Sequence, residues 1–237
     1  LLLPLDNYAQ AYGWTDRVRR NIQEHCRISP IKDGPDKGAV SSMLESDGVY
    51  YNMDEVFFDM IRHYDHYTND TELMREIYPA LEGMLERQNR RLRPGTEALY
   101  ESALNTWISD SHWYIRSQCT QSSAYMLAAY RFMADLAHRL GRDPQPFREH
   151  AQQIRDDMNR LLWQPKLGVF AECLDTRGRR LLHGEPELPT LYHAAEFGAA
   201  DGFQIAQMLN WADLHLRQEH TPGGGVAYWS SDWHPNN

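Results

Sequence analysis

Cysteine is scarce in this chain, positive charge is outweighed, and no long apolar run is present; each shortage removes a class of function. The three cysteines among 237 residues, Cys26, Cys119 and Cys173, are odd in number. Their spacing fits neither a CxxC metal site nor a disulfide framework, so the sequence assigns them no chemistry. Lysine and arginine total 24 against 33 acidic residues. A nucleic acid rewards clustered positive charge, so this balance argues against such a partner. A mean hydropathy of -0.66 and the lack of a spanning apolar run argue against a membrane partner. The opening Leu1-Leu2-Leu3-Pro4-Leu5 has no charged stretch before it, as a signal peptide would. It reads as a cut end, as does the loop-like Ser230-Ser231-Asp232-Trp233-His234-Pro235-Asn236-Asn237, and a longer parent chain is expected. No Gly-x-Ser-x-Gly elbow, kinase set, phosphate loop or dinucleotide fingerprint is present, and no cofactor is expected.

Aromatic residues make up 11%, with 7 Trp and 13 Tyr, and many fall in polar segments where core packing alone would not select them. Such rings suit stacking on the apolar faces of sugars.

Apolar residues return at three and four positions along much of the chain, which places them on one face of a helix. Ile115, Cys119, Ser122, Met126, Ala129, Met133, Leu136 and Leu140 trace one stripe and predict a long helix over 113–140. Phe147, Ala151, Ile154, Met158, Leu161 and Leu162 make the next, opened by Asp143-Pro144 and closed before Pro165. A second pair is Val56, Phe57, Met60, Ile61 and Tyr64 followed by Leu73, Ile77, Leu81, Met84 and Leu85. A third runs over 188–197 and resumes with Phe203, Ile205, Met208, Leu209 and Ala212. The turns between partners end in Asp70, Asp143 and Asp201, each placed to accept from the unpaired amides of the following helix. This recurrence marks a loose internal repeat of αα-hairpins. Residues 8–26 are predicted helical, followed by a long loop with Pro30, Gly34, Pro35 and Gly38, and the alternation over 168–178 predicts a short β-hairpin. The expected fold is all-α: one domain over 1–237, an α/α toroid of hairpins, incomplete, with a small β-hairpin insertion.

Three segments resemble the six-hairpin glycosidases, whose (α/α)6 barrels serve many glycoside hydrolases. Asn52-Met53-Asp54-Glu55-Val56-Phe57-Phe58-Asp59-Met60, with Tyr67-Thr68-Asn69-Asp70 and Ile77-Tyr78-Pro79, is similar to the hairpin that opens their barrels. Leu136-Ala137-His138-Arg139-Leu140-Gly141-Arg142-Asp143, then 147–163 and Gly168-Val169-Phe170, is similar to their commonest hairpin. Trp107-Ile108-Ser109-Asp110-Ser111-His112-Trp113-Tyr114 looks like an acid-and-aromatic loop entering an inner helix. The resemblance spans about 48–215 and implies a hydrolase acting on a carbohydrate, with the rest of a longer chain completing the barrel; many such enzymes are exported. Uronyl hydrolases of this fold carry an Asp-Asp-x-x-Met motif where this chain reads Asp54-Glu55-Val56-Phe57-Phe58, without the methionine in register.

Glycoside hydrolysis needs two carboxyl groups flanking the scissile bond, one protonated and one ionised. Asp110, among Trp107, His112, Trp113 and Tyr114, is the first choice as general acid or its partner; the competing role is a cap for a helix beginning near Trp113. Glu55 is the second carboxylate, with Asp47, Tyr51 and Asp54 nearby to bind hydroxyls, although acids in a first helical turn also answer the macrodipole. A calcium site on these acids is disfavoured because their spacing lacks the alternation of a calcium loop. Glu101 is the third catalytic candidate, and Gln118 and Gln121 are candidate hydroxyl binders. His193 and Glu196, three apart, read as a His–Glu pair lining the substrate site, not as a zinc helix, which carries two histidines. Trp229, Asp232 and Trp233, beside Gly223-Gly224-Gly225, are further sugar-lining candidates, with Asp232 a substitute for Glu55. No metal site is expected. A noncatalytic carbohydrate-binding toroid, in which the acids only cap helices, is the alternative.

Overall fold

The computed structural model of the protein describes residues 12–40, 51–104 and 113–228, with side chains described over 12–40, 56–102 and 117–228. Along the chain come α1 (Thr15–Ile28), α2 (Tyr51–Thr68), α3 (Thr71–Leu92), β1 (Glu101–Leu104), β2 (Trp113–Cys119), α4 (Thr120–Arg139) and α5 (Gln145–Leu161). Four two-residue strands follow, β3 (Trp163–Gln164), β4 (Val169–Phe170), β5 (Cys173–Leu174) and β6 (Leu182–His183). The remainder is α6 (Leu188–Glu196), α7 (Gly202–His215), β7 (Gln218–His220) and β8 (Val226–Tyr228). No helix among the described residues is long and apolar enough to cross a membrane.

The chain forms two compact units, one of residues 1–94 with 128–150 and the other of 95–127 with 151–237. In the first unit, α1 buries Val18, Ile22 and His25, and α3 buries Leu73, Ile77, Leu81, Met84 and Leu85, the stripe that the apolar period predicts for α3, together with Leu92. Each such aliphatic side chain removed from water contributes about 1.5–3 kcal/mol. The turn from α2 to α3 runs through Asn69 at φ 50 to Asp70, whose carboxylate accepts from Leu73 N–H, Tyr64 hydroxyl and Arg19 Nε. Arg139, at the end of α4, grips both oxygens of Asp65 at 2.7 and 2.8 Å. Asp36, buried in the loop after α1, would have its carboxyl raised by that burial, yet hydrogen bonds from Arg90 and Arg91 hold it below the ordinary carboxylate range.

The second unit departs from the all-α expectation. It holds a four-stranded sheet in the order β1-β2-β5-β6, a β3-β4 pair and a β7-β8 pair. The helix predicted over 113–140 begins at Thr120; the seven residues before it form β2, paired with β1 on one side and β5 on the other. Ile115 and Cys119 are four apart, a spacing that puts residues on one face of a helix and equally on one face of a strand. Apolar spacing cannot separate the two, and pairing on both edges decides for the strand. Asp143 and Asp201 take the predicted positions, accepting from Gln145 N–H at 2.9 Å and Gln204 N–H at 2.8 Å, with Gln204 completing a capping box.

The β-hairpin expected over 168–178 is also redrawn. Gly168 has φ +73 and makes the turn of the β3-β4 pair, while β5 takes β2 and β6 as partners, with Gly178 (φ +68) in the β5–β6 connection. Trp163 meets Phe170 edge-on at 5.0 Å, and α6 and α7 pack on β4. Phe170, Val169, Ala194, Ile154 and Met158 are buried in this core.

Candidate active site on the four-stranded sheet

Polar groups are concentrated in the interior of the second unit. Glu101, Ser102, Ser117, Gln118, Thr120, Gln121, Ser122, Ser123, Glu172 and Thr190 are all buried. A folded chain leaves polar groups inside only when they are hydrogen-bonded, so this cluster must be internally wired. Ser122 Oγ donates to Tyr100 carbonyl at 2.9 Å, Ser123 Oγ accepts from Tyr100 N–H at 3.1 Å, and Thr120 Oγ1 donates to Ala171 carbonyl at 2.6 Å.

The register assigns these residues to two faces. Glu101 stands opposite Gln118, Gln118 opposite Leu174, and Leu174 opposite Leu182. Directly opposed residues share a face and sequence neighbours alternate, so this row lies on one side of the sheet and Ser117, Cys119, Cys173, Asp175 and His183 on the other. On the first side, Arg180 reaches back with Nη2 3.4 Å from Gln118 Oε1 and Nη1 3.1 Å from Glu97 Oε1. Arg180 has φ 53, a left-handed conformation that costs a non-glycine residue energy. The Glu97 carboxyl is held below its ordinary value by its own amide N–H and by Arg180. An acidic group, a neutral amide and a guanidinium thus share one row, which supplies both hydrogen-bond donors and acceptors. On the second side, His183 Nε2 lies 2.8 Å from Asp175 Oδ1, which also accepts from Ser117 Oγ at 3.4 Å.

Of the residues singled out in the sequence, the structure brings Glu101 and Gln118 together and places buried Gln121 in the first turn of α4. Asp47, Trp107, Asp110, His112, Trp229, Asp232 and Trp233 lie outside the described residues, as do the side chains of Tyr51, Asp54, Glu55, Trp113 and Tyr114. Asp110 belongs to the stretch 105–112 that joins β1 to β2, and since β2 is a strand the predicted helix start near Trp113 is absent. His193 and Glu196 do not form the expected pair on one face. The imidazole is buried, its Nε2 3.3 Å from Tyr125 hydroxyl and its ring stacked on Phe197 at 5.4 Å, while Glu196 is exposed. Three residues leave two side chains about 60° apart around a helix axis, enough at a helix flank to divide inside from outside. Among the described residues no cluster of three or more His, Cys, Asp or Glu is arranged to hold a metal ion.

The sequence does not single out Glu172. Its Oε2 accepts from Glu187 N–H at 2.9 Å and from Thr190 hydroxyl at 2.6 Å, tying the segment after β4 to the start of α6. In sequence it is one acid in an alternating run, and only the fold shows it as 1% exposed.

Burial holds the His193 imidazole down to about 4. The unfolded chain titrates near 6.5, so it takes up the proton first on acidification and stability falls with pH. The neutral form's contribution is complete above pH 6.5, is lost as pH falls toward 4, and amounts to about 3 kcal/mol for a shift of this size. His150, half-buried, is likewise lowered to about 4, by burial first and then by Arg93. Urea unfolding of the wild type and of His193→Gln at steps between pH 7 and pH 4 is expected to show a shallower decline in the variant; equal slopes would remove His193 as a source of acid sensitivity.

Residues 107–211 match the family model described as Mannosylglycerate hydrolase MGH1-like glycoside hydrolase domain. Among solved structures the chain is similar to a GH78 family rhamnosidase of Bacillus sp. GL1, with TM-score 0.66 and 18% identity over 90% of this chain and 21% of that one. It is similar to a rhamnosidase from Klebsiella oxytoca with rhamnose bound, with TM-score 0.53 and 15% identity over 71% of this chain and 31% of that one. It is also similar to an uncharacterised conserved protein from Thermus thermophilus, with TM-score 0.59 and 13% identity over 89% of this chain and 68% of that one. The chain therefore spans less than a third of the length of either rhamnosidase. None of the curated protein sequences matches it. The resemblance to glycoside hydrolases read from the sequence is borne out.

Proposed function

We propose that this chain is a glycoside hydrolase, or a catalytic-domain piece of one, that cleaves glycosidic bonds by carboxylate acid/base catalysis. In this reading its helices belong to one α/α toroid of αα-hairpins that further parts of a longer chain complete. The observation that carries the reading is the match over 107–211 to a glycoside hydrolase domain, which opens on Trp107 and takes in Asp110. Beside it, Glu101 and Gln118 sit in one buried row on the two strands that flank the Asp110 segment.

One carboxyl group donates a proton to the departing glycosidic oxygen, and the other, ionised, either activates water or attacks the anomeric carbon. Asp110 takes one role. Glu55 or Glu101 takes the other, with Asp232 as the substitute. Gln118 and Gln121 bind hydroxyls, and Trp107, Trp113, Tyr114, Trp229 and Trp233 offer faces on which sugar rings stack. A carboxyl separation of roughly 5 Å would make the enzyme retaining, and roughly 6.5–9.5 Å inverting.

Chromatography of products from the full-length protein, incubated with rhamnosides, mannosylglycerate and a panel of aryl glycosides, tests the reading. Release of free sugar from at least one member is expected. Binding of sugars without release from any member would replace it with the noncatalytic carbohydrate-binding toroid.

A further inference from the structure

Cys119 on β2 and Cys173 on β5 are Cα partners in the antiparallel ladder, and both are only 2% exposed. The ladder has two kinds of opposed pair, and the neighbouring hydrogen bonds identify this one. Thr120 N–H donates to Glu172 carbonyl, while Cys119 N–H turns the other way, to Tyr100 carbonyl. Cys119 and Cys173 therefore form a non-hydrogen-bonded pair, in which Cα atoms are about 4.5 Å apart and side chains are closest. A disulfide accepts Cα separations of about 4.4–6.8 Å. The Cβ separation of opposed residues, about 4.5–5.5 Å in general, is at its short end in such pairs and so meets the upper edge of the range a disulfide prefers, which favours a bond that a thiol reductant reopens. The two thiols interact directly: burial first, and then the Cys173 sulfur, push the Cys119 thiol well above its ordinary value.

We propose that Cys119 and Cys173 form a reversible cross-strand disulfide under oxidising conditions. With glutathione disulfide as oxidant, one cysteine thiolate attacks a glutathione sulfur and expels the first glutathione thiolate, leaving a mixed disulfide. The opposed cysteine then attacks the protein sulfur of that mixed disulfide and expels the second. The protein gives up two protons and two electrons, and glutathione disulfide is reduced to two glutathiones. Burial keeps the thiolate fraction small, so exchange waits on opening of the sheet at the two-residue strands β5 and β6. The bond joins β2, just before α4, to β5, the third strand after α5, and fixes the β2–β5 register one residue from Gln118.

The test reads mass and is independent of any glycosidase activity. Full-length protein is incubated with glutathione disulfide in urea below its unfolding transition, so that local opening admits the oxidant, then unfolded, alkylated and digested. A peptide linking Cys119 to Cys173, lighter by two hydrogens than the two thiol peptides together, is expected, with Cys26 alkylated. The oxidised wild type is further expected to melt at higher temperature, a gain erased by dithiothreitol and absent from Cys173→Ser. Alkylated Cys119 and Cys173, glutathione adducts without the link, or a link through Cys26 would overturn the proposal.

Discussion

Asp110→Asn in the full-length protein is expected to lower the turnover of whichever glycoside the wild type cleaves by about 10²–10⁴-fold, the usual contribution of a positioned proton-transfer group. Asparagine keeps the shape and polarity of aspartate but neither delivers nor accepts a proton at neutral pH. The fold should tolerate the change. Its structural alternative, a cap on a helix beginning near Trp113, has no helix to serve, because that segment is β2 and the next helix begins at Thr120. Turnover measured beside circular dichroism separates the outcomes. Lost activity with an unchanged spectrum and melting point assigns Asp110 to the chemistry, and unchanged activity moves it to another carboxylate.

Glu172→Ala is expected to destabilise the protein by about 3 kcal/mol. The substitution leaves Glu187 N–H and Thr190 hydroxyl inside the fold without the carboxylate that accepts from both, and each unmet buried group costs roughly 1–3 kcal/mol. A cavity adds to this, since the replaced side chain is almost wholly buried. For a chain of this size the melting temperature should drop by roughly 6–12 °C. Glu172→Gln, which keeps one acceptor oxygen in place, should lose less than half as much. A melt of Glu172→Ala within a degree of the wild type would mean that the start of α6 is held by other contacts.

Glu101 combines both concerns, being a buried carboxylate in the candidate row opposite Gln118. It ranks low in the sequence because nothing local distinguishes it from any other acid near a turn. The register of β1 against β2 supplies its context, and register depends on partners distant in sequence. The cysteines repeat the lesson. No spacing rule connects Cys119 to Cys173, and only the sheet opposes them.

Helices are the legible part. The stripes of α2, α3 and α5, and the carboxylates Asp70, Asp143 and Asp201 ahead of α3, α5 and α7, follow from a period and a capping chemistry that act within a few residues. Of the stripe expected on α7, only Met208 and Ala212 are buried, and Phe203 and Leu209 are exposed. The sheet is only partly legible: alternation over 168–178 marks the stretch that holds β4 and β5 but not their partners β3, β2 and β6, and β2 carries a spacing common to helix and strand. His193 and Glu196 fall between these cases. Both lie on α6 as their spacing suggests, but which of them faces Tyr125 and Phe197 depends on packing that the helical period does not specify.

Product release by the full-length wild type, Asp110→Asn, Glu55→Gln and Glu101→Gln, measured side by side on one cleaved glycoside by chromatography, tests carboxylate catalysis most directly. The expected result is near-complete loss in Asp110→Asn and in one of the two glutamate variants, with folding intact in both. Undiminished release by all three variants would contradict it.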